Sequence, residues 1–109
     1  MKTIQKLVKG YKTFLQDYYT QNKGTFEALD EYGQQDCKIM LISCCDSRVD
    51  PNLIFHSKPG EIFVVRNVAN LVPPFEEEGT YHGTSAALEF AVTGLEVEHI
   101  IIMGHSGCG

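Results

Sequence analysis

The sequence predicts an α/β fold built on a parallel β-sheet, and three observations predict it. Lys38 to Ser43 (KIMLIS), Glu61 to Val65 (EIFVV) and His99 to Met103 (HIIIM) are short, almost continuous apolar runs. That pattern belongs to strands buried on both faces. Between the second and third runs, Thr84 to Leu95 places Leu88, Ala91, Val92 and Leu95 on one face of a helix. Strand, helix, strand in this order implies parallel pairing through right-handed crossovers. The expected strand order is 2-1-3.

The remaining elements follow from local signals. Ile4, Leu7, Val8, Tyr11, Leu15 and Tyr18 recur at spacings of three and four, so residues 3–20 read as an amphipathic helix. Its apolar stripe is a packing surface, for its own domain or for a second subunit. A second short helix is expected around Phe26 to Tyr32, ending near Gly33. Asp50 to Gly60 contains Pro51 and Pro59 and is expected to make a short helical turn through Asn52–Phe55. The chain therefore divides into a helical arm, 1–34, and an α/β core, 35–109, with no repeat or linker.

Composition removes several function classes. Of 109 residues, 43% are hydrophobic and 21% charged, which suits one globular domain. The net charge of −5 is spread among interspersed acidic and basic residues, so no basic stripe suggests nucleic acid or an anionic membrane surface. No apolar run approaches the ~20 residues needed to span a bilayer. Met1 to Lys6 leads into mixed polar sequence, not an apolar signal core, and a cytoplasmic location is expected. In a reducing compartment, Cys37, Cys44, Cys45 and Cys108 point to metal or catalysis more than to disulfides.

Each polar cluster falls just past the C-terminal end of an expected strand. Cys44-Cys45-Asp46-Ser47-Arg48 follows the first, Arg66-Asn67-Val68-Ala69-Asn70 the second, and Gly104-His105-Ser106-Gly107-Cys108-Gly109 the third. Open parallel sheets bind ligands at that edge, where the strand order reverses. With order 2-1-3 the reversal lies between the first and third strands, and a cysteine of the 44–45 pair faces His105 across the crevice. His105-x-x-Cys108 is a short chelating arm whose imidazole and thiolate suit zinc. A third ligand from the first strand leaves one tetrahedral position open, the mark of a catalytic zinc. Adjacent side chains diverge, so only one of Cys44 and Cys45 can serve, and physics alone does not choose. Asp46 and Arg48 read either as a surface ion pair or as a dyad. In the dyad, Arg48 holds the Asp46 carboxylate by paired hydrogen bonds, and Asp46 accepts one from the zinc-bound oxygen. On spacing alone Gln35, Phe63 and Val68 suggest only packing or solvent, and Cys37, His56, His82 and His99 have no partner pattern.

CCDSRVDP at 44–51, PGEIFVVRNVANLVPP at 59–74, GTSAALEFAV at 83–92 and HIIIMGHSGCG at 99–109 together resemble the β-class carbonic anhydrases, specifically their bacterial and plant-like branch. The resemblance covers 35–109 and implies one zinc per chain. It selects Cys44 as the first ligand, through the family's Cys-x-Asp-x-Arg motif, with His105 and Cys108 as the others and Asp46–Arg48 as the dyad. It also implies that Gln35, Phe63 and Val68 help form the carbon dioxide pocket. Position 90 is Phe where some relatives carry Tyr, so a hydroxyl contact is missing there. Homodimers or higher homo-oligomers are implied, with pockets at the subunit interface. The family's domain continues past the last cysteine with a glycine-rich helix start, a further strand and C-terminal helices, so 1–109 reads as a partial domain with a complete ligand set.

The activity implied is reversible hydration of carbon dioxide to bicarbonate and a proton, by attack of zinc-bound hydroxide that the dyad orients. If Asp46 swings away from Arg48, it could itself take the fourth zinc position and close the site. The alternatives are a non-catalytic zinc-binding fragment and a zinc enzyme acting on a related linear molecule such as carbon disulfide. A zinc dehydrogenase also uses two Cys and one His, but no dinucleotide glycine fingerprint is present.

Overall fold

The run Ile39-Met40-Leu41-Ile42 has no polar side chain to spare for solvent, and it becomes the central strand of a three-stranded sheet. A computed structural model describes all 109 residues and divides them into two units, Met1–Gly33 and Gln34–Gly109.

In the first unit, helix α1 (Lys2–Phe14) continues through a wider π-type turn, Leu15–Tyr19, and helix α2 (Lys23–Tyr32) follows. Phe14 stands at the middle of an aromatic group. Its ring lies 5.9 Å from Phe26, edge-on, and 5.8 Å from Tyr18. Gly33 ends α2 at φ +72°, a left-handed conformation that costs a residue with a side chain more, and its N–H closes the last turn on Leu29 O at 2.8 Å. The stripe Ile4, Leu7, Val8, Tyr11, Leu15, Tyr18 is exposed throughout or nearly so.

In the second unit, strand β1 (Ile39–Cys44) pairs in parallel with β2 (Ile62–Asn67) on one side and β3 (His99–Met103) on the other. The order is β2-β1-β3, the expected one. Helix α3 (Pro51–Ile54) starts at Asp50, whose carboxylate accepts from Asn52 N, with Pro51 in the first turn where its missing N–H costs nothing. Helix α4 (Gly83–Glu89) runs into a second π-type turn, Phe90–Gly94. It packs Ala87, Leu88 and Ala91 against Met40 and Ile42 of β1 and Phe63 and Val65 of β2. Cys37, Met40, Leu41, Ile42 and Ser43 have almost no exposure, and burying each large side chain among them stabilises the fold by roughly 1.5–3 kcal/mol. No helix is long and apolar enough to cross a membrane.

The apolar runs do not behave alike, and this corrects the expectation that all three strands are covered on both faces. β1 is buried, β2 is half-buried along its length, and Ile100, Ile101 and Ile102 of β3 are 47%, 43% and 56% exposed. The reason is what covers each strand: the α4 segment packs on Met40 and Ile42 of β1 and on Phe63 and Val65 of β2, and no residue of β3 belongs to that cluster.

This asymmetry has a measurable consequence. Ile42→Ala should cost about 2–5 kcal/mol of unfolding free energy, because it leaves a cavity in the core. Ile101→Ala should cost about 1 kcal/mol or less. Urea denaturation followed by circular dichroism tests the pair, and equal losses would contradict the burial described.

Candidate metal centre

The parallel register fixes which residues meet at the C-terminal edge of the sheet. Ser43 stands opposite Met103, so the segments after both residues leave the sheet side by side. Cys44 is the last residue of β1, and His105 and Cys108 lie in the turn after β3. One sulfur from Cys44, one from Cys108 and one ring nitrogen of His105 all lie within 4.8 Å of one another. Cys44, not Cys45, supplies the first sulfur; Cys45 is exposed, and its N–H continues the ladder to Asn67 O at 2.9 Å. Gly107, at φ +66°, lets the turn bend so that Cys108 comes back to His105.

The donor set suits a borderline-soft divalent ion. Thiolate and imidazole together are zinc ligands, and three of them leave one tetrahedral position free. The histidine is prepared for that role. Its Nδ1 is 2.9 Å from Ser106 O, which draws the ring proton to that side. Its Nε2 is buried and has no hydrogen-bond partner. A buried lone pair without a partner is costly unless something binds it. The residues present therefore fit a zinc ion.

Electrostatics at the cluster agree with this. The Cys44 thiol is lowered to about 7, first by the backbone N–H of Asp46, then by His105 and by Ala69, whose N–H donates to Cys44 Sγ at 3.4 Å. His105 is raised, chiefly because a protonated ring would hydrogen-bond the Cys44 sulfur. These are two sides of one thiolate–imidazolium attraction. Cys108 is exposed as a residue, but its sulfur is turned toward Cys44. Desolvation, and then the neighbouring sulfur, push its thiol up.

Asp46 and Arg48 lie beside this cluster. Asp46 Oδ1 accepts from Arg48 N at 2.8 Å and from Arg48 Nε at 3.0 Å, while Oδ2 accepts from Arg48 Nη2 at 2.8 Å. This forked hydrogen bonding holds the Asp46 carboxyl far below the usual carboxylate range. Arg48 Nη2 also reaches Gly107 O at 3.4 Å, joining the turn after β1 to the turn after β3.

The other sequence candidates lie outside the Cys-His-Cys group. Phe63 is on the core side of β2, its ring 5.6 Å from Phe90. Val68 is 77% exposed in the turn after β2, and Gln35 is exposed at the start of the unit. The sequence reading also passed over groups that matter. Ala69 contributes through its backbone N–H, which has no signature in side-chain chemistry. Arg66 and Asn67 stood out as polar residues at a strand end, but nothing in their spacing showed what they hold.

The parallel sheet thus carries, at the edge where its strand order reverses, a Cys-His-Cys group able to hold a metal ion, with the Asp46–Arg48 pair beside it. The sequence profile of the family described as carbonic anhydrase matches residues 39–109. The chain is 42% identical over 106 residues to the carbonic anhydrase of Synechococcus elongatus, covering 97% of this chain and 38% of that one. Among solved structures, the β-carbonic anhydrase CcaA superposes with a TM-score of 0.88 at 40% identity, covering all 100% of this chain and 47% of that one. The structures of two tetrameric β-carbonic anhydrases from the ascomycete Sordaria macrospora give a likeness with a TM-score of 0.84 at 34% identity, covering 100% of this chain and 52% of the other. The chain belongs to the β-carbonic anhydrase family, and it spans less than half the length of the curated relative just described.

The titrations set the direction of metal uptake with pH. Zinc needs both thiols and the ring deprotonated. Below about 7 Cys44 carries its own proton, and uptake must displace it; above that Cys44 is already ionised and one proton fewer is displaced. Asp46 is ionised throughout and contributes none. Zinc affinity should therefore rise with pH, most steeply below about 7. Calorimetry in buffers of different ionisation enthalpy counts the protons, and a count independent of pH would contradict this.

Proposed function

We propose that this chain supplies the metal centre of an enzyme that reversibly hydrates carbon dioxide to bicarbonate and a proton. Cys44, His105 and Cys108 hold one zinc ion per chain, and Asp46 and Arg48 form the catalytic dyad. The observation that carries the proposal is the three-ligand cluster with a forked Asp46–Arg48 pair beside it. Zinc in such a site is a Lewis acid that lowers the pKa of water, a chemistry for which carbonic anhydrases are the standard example, and so supplies hydroxide near neutral pH.

The chain's own residues do the rest. An ionised carboxylate is an acceptor only. Asp46, held ionised by Arg48, accepts the O–H of the attacking oxygen and so turns a lone pair toward the carbon. The Arg48 fork holds the carboxylate in place beside the ligand cluster, of which it is not a member, while Oδ2, with a single donor from Arg48, keeps a lone pair for that O–H. That leaves the fourth position to the reaction. Gln35, Phe63 and Val68 shape a small, mostly apolar pocket for the linear substrate.

In this reading a second copy completes the pocket. Support comes from the tetrameric fungal relatives and from the uncovered stripe Ile4, Leu7, Val8 and Tyr11, 48–68% exposed. A reducing, cytoplasmic setting agrees with four free cysteines, two of them close enough to share an ion. A second reading, zinc binding without turnover, is favoured by the exposed isoleucines of β3, the strand that leads into two of the three ligands.

Stopped-flow hydration with a pH indicator and zinc content by mass spectrometry separate the readings. Cys44→Ser should lose both zinc and hydration. Asp46→Asn should keep zinc and lose about 10–100-fold in hydration, because the amide loses the Arg48 fork and presents a donor. A wild-type chain that retains zinc and hydrates nothing would establish the second reading.

A further inference from the structure

Arg66 is the fifth residue of β2 and pairs with Ser43. Successive side chains alternate across a strand. Cys44 pairs with Asn67, so Arg66 leaves the sheet on the face that the Cys44 side chain does not use. From there its guanidinium reaches around the end of β1. Nε donates to Cys44 O at 2.9 Å, Nη2 donates to Asp46 O at 2.7 Å, and Nη1 stands 3.8 Å from the Asp50 carboxylate. The side chain is only 26% exposed; Nε and Nη2 are hydrogen-bonded in the segment 44–50, and Nη1 faces the Asp50 carboxylate as an ion pair.

We propose that Arg66 is a positioning residue for the metal centre: its guanidinium fork fixes the first ligand and the dyad carboxylate relative to each other through their backbone carbonyls. The inference rests on the zinc reading above. A carbonyl held in place fixes its whole peptide plane. The two planes held here lie on either side of Cys45 and Asp46. With both fixed, the dihedrals between them lose their freedom, and the Cα–Cβ directions of Cys44 and Asp46 are set together. Arg48 then orients the Asp46 carboxylate, but it cannot set where the Asp46 backbone lies. Asp50 adds a third anchor, since it also caps α3 through Asn52 N at 3.1 Å. A lysine carries the same charge but presents its donors from a single nitrogen on a flexible stem, so it cannot reproduce the fixed spacing of Nε and Nη2 that holds the two carbonyls.

The test compares the parent chain with Arg66→Lys and Arg66→Gln, using cobalt(II) alone as a spectroscopic probe and zinc release to a chelator as a rate. Both variants should bind one cobalt per chain with shifted visible bands, and should release zinc about tenfold faster or more. Lysine should rescue neither property. A cobalt spectrum and a zinc release rate indistinguishable from the parent would overturn the proposal. So would loss of the folded circular dichroism signal in both variants, which would make Arg66 a residue of the fold. A parent chain that takes up no cobalt overturns the zinc reading and this inference together. A parent that binds cobalt but hydrates no carbon dioxide overturns only the activity, and the spectral comparison still decides on Arg66.

Discussion

Ser43 pairs with Met103 across the β1–β3 ladder, and the position of every ligand is counted from that pair. Parallel pairing makes both strands end at the same edge. One residue on from Ser43 is Cys44; two residues on from Met103 is His105, and three further is Cys108. A slip of the ladder by one residue would turn the Cys44 side chain to the other face. The register is held by Met40, Leu41 and Ile42, which are buried on both faces of β1 and cannot be re-exposed without losing several kcal/mol. The chemistry at the edge thus depends on apolar residues that never touch it.

Two sulfurs and an imidazole brought this close are unfavourable by themselves, because like-charged thiolates repel and an unpaired ring nitrogen is buried. The surrounding structure answers each cost locally. Backbone N–H groups of Asp46 and Ala69 stabilise negative charge on Cys44, and the same attraction raises His105. Arg48 places positive charge next to Asp46 and closes the gap to the His105–Cys108 turn through Gly107 O. Arg66 holds the backbone between them. Cations and N–H donors therefore surround a cluster of acceptors, and a divalent ion would complete that balance.

The strand run of β1 and the spacing of the Cys-His-Cys group were legible because both are one-dimensional. A continuous apolar run identifies a buried strand, and Cys44, His105 and Cys108 carry distinctive side chains. Strand order was legible because only one arrangement places the polar segments after β1 and β3 at a reversal point. The burial of β3 was not legible: Ile100, Ile101 and Ile102 look like the residues of β1, and composition does not say which strands the helix covers. The helix expected over Thr84–Leu95 gives way to a π-type turn at Phe90–Gly94, a local widening with no pattern of its own. Gln35, Phe63 and Val68 show the opposite case. A resemblance groups them, while a core position for Phe63 and exposed positions for Gln35 and Val68 carry no mark of a shared pocket.

The turn after β2 shows most clearly what sequence periodicity cannot carry. Ala69 and Asn70 are consecutive non-glycine residues at positive φ, +69° and +47°. Each costs on the order of 1–3 kcal/mol and persists only when its surroundings impose it. Asn67 imposes it. Its Oδ1 accepts from Leu71 N at 2.8 Å and its Nδ2 donates to Leu71 O at 2.7 Å, so one side chain closes the turn from both sides. At about 0.5–1.5 kcal/mol each, the two bonds offset only part of that strain. What the strained turn gains is direction: it points Ala69 N–H at the Cys44 sulfur. An asparagine at the end of a strand thus acts on a cysteine 23 residues earlier through the backbone of a third residue.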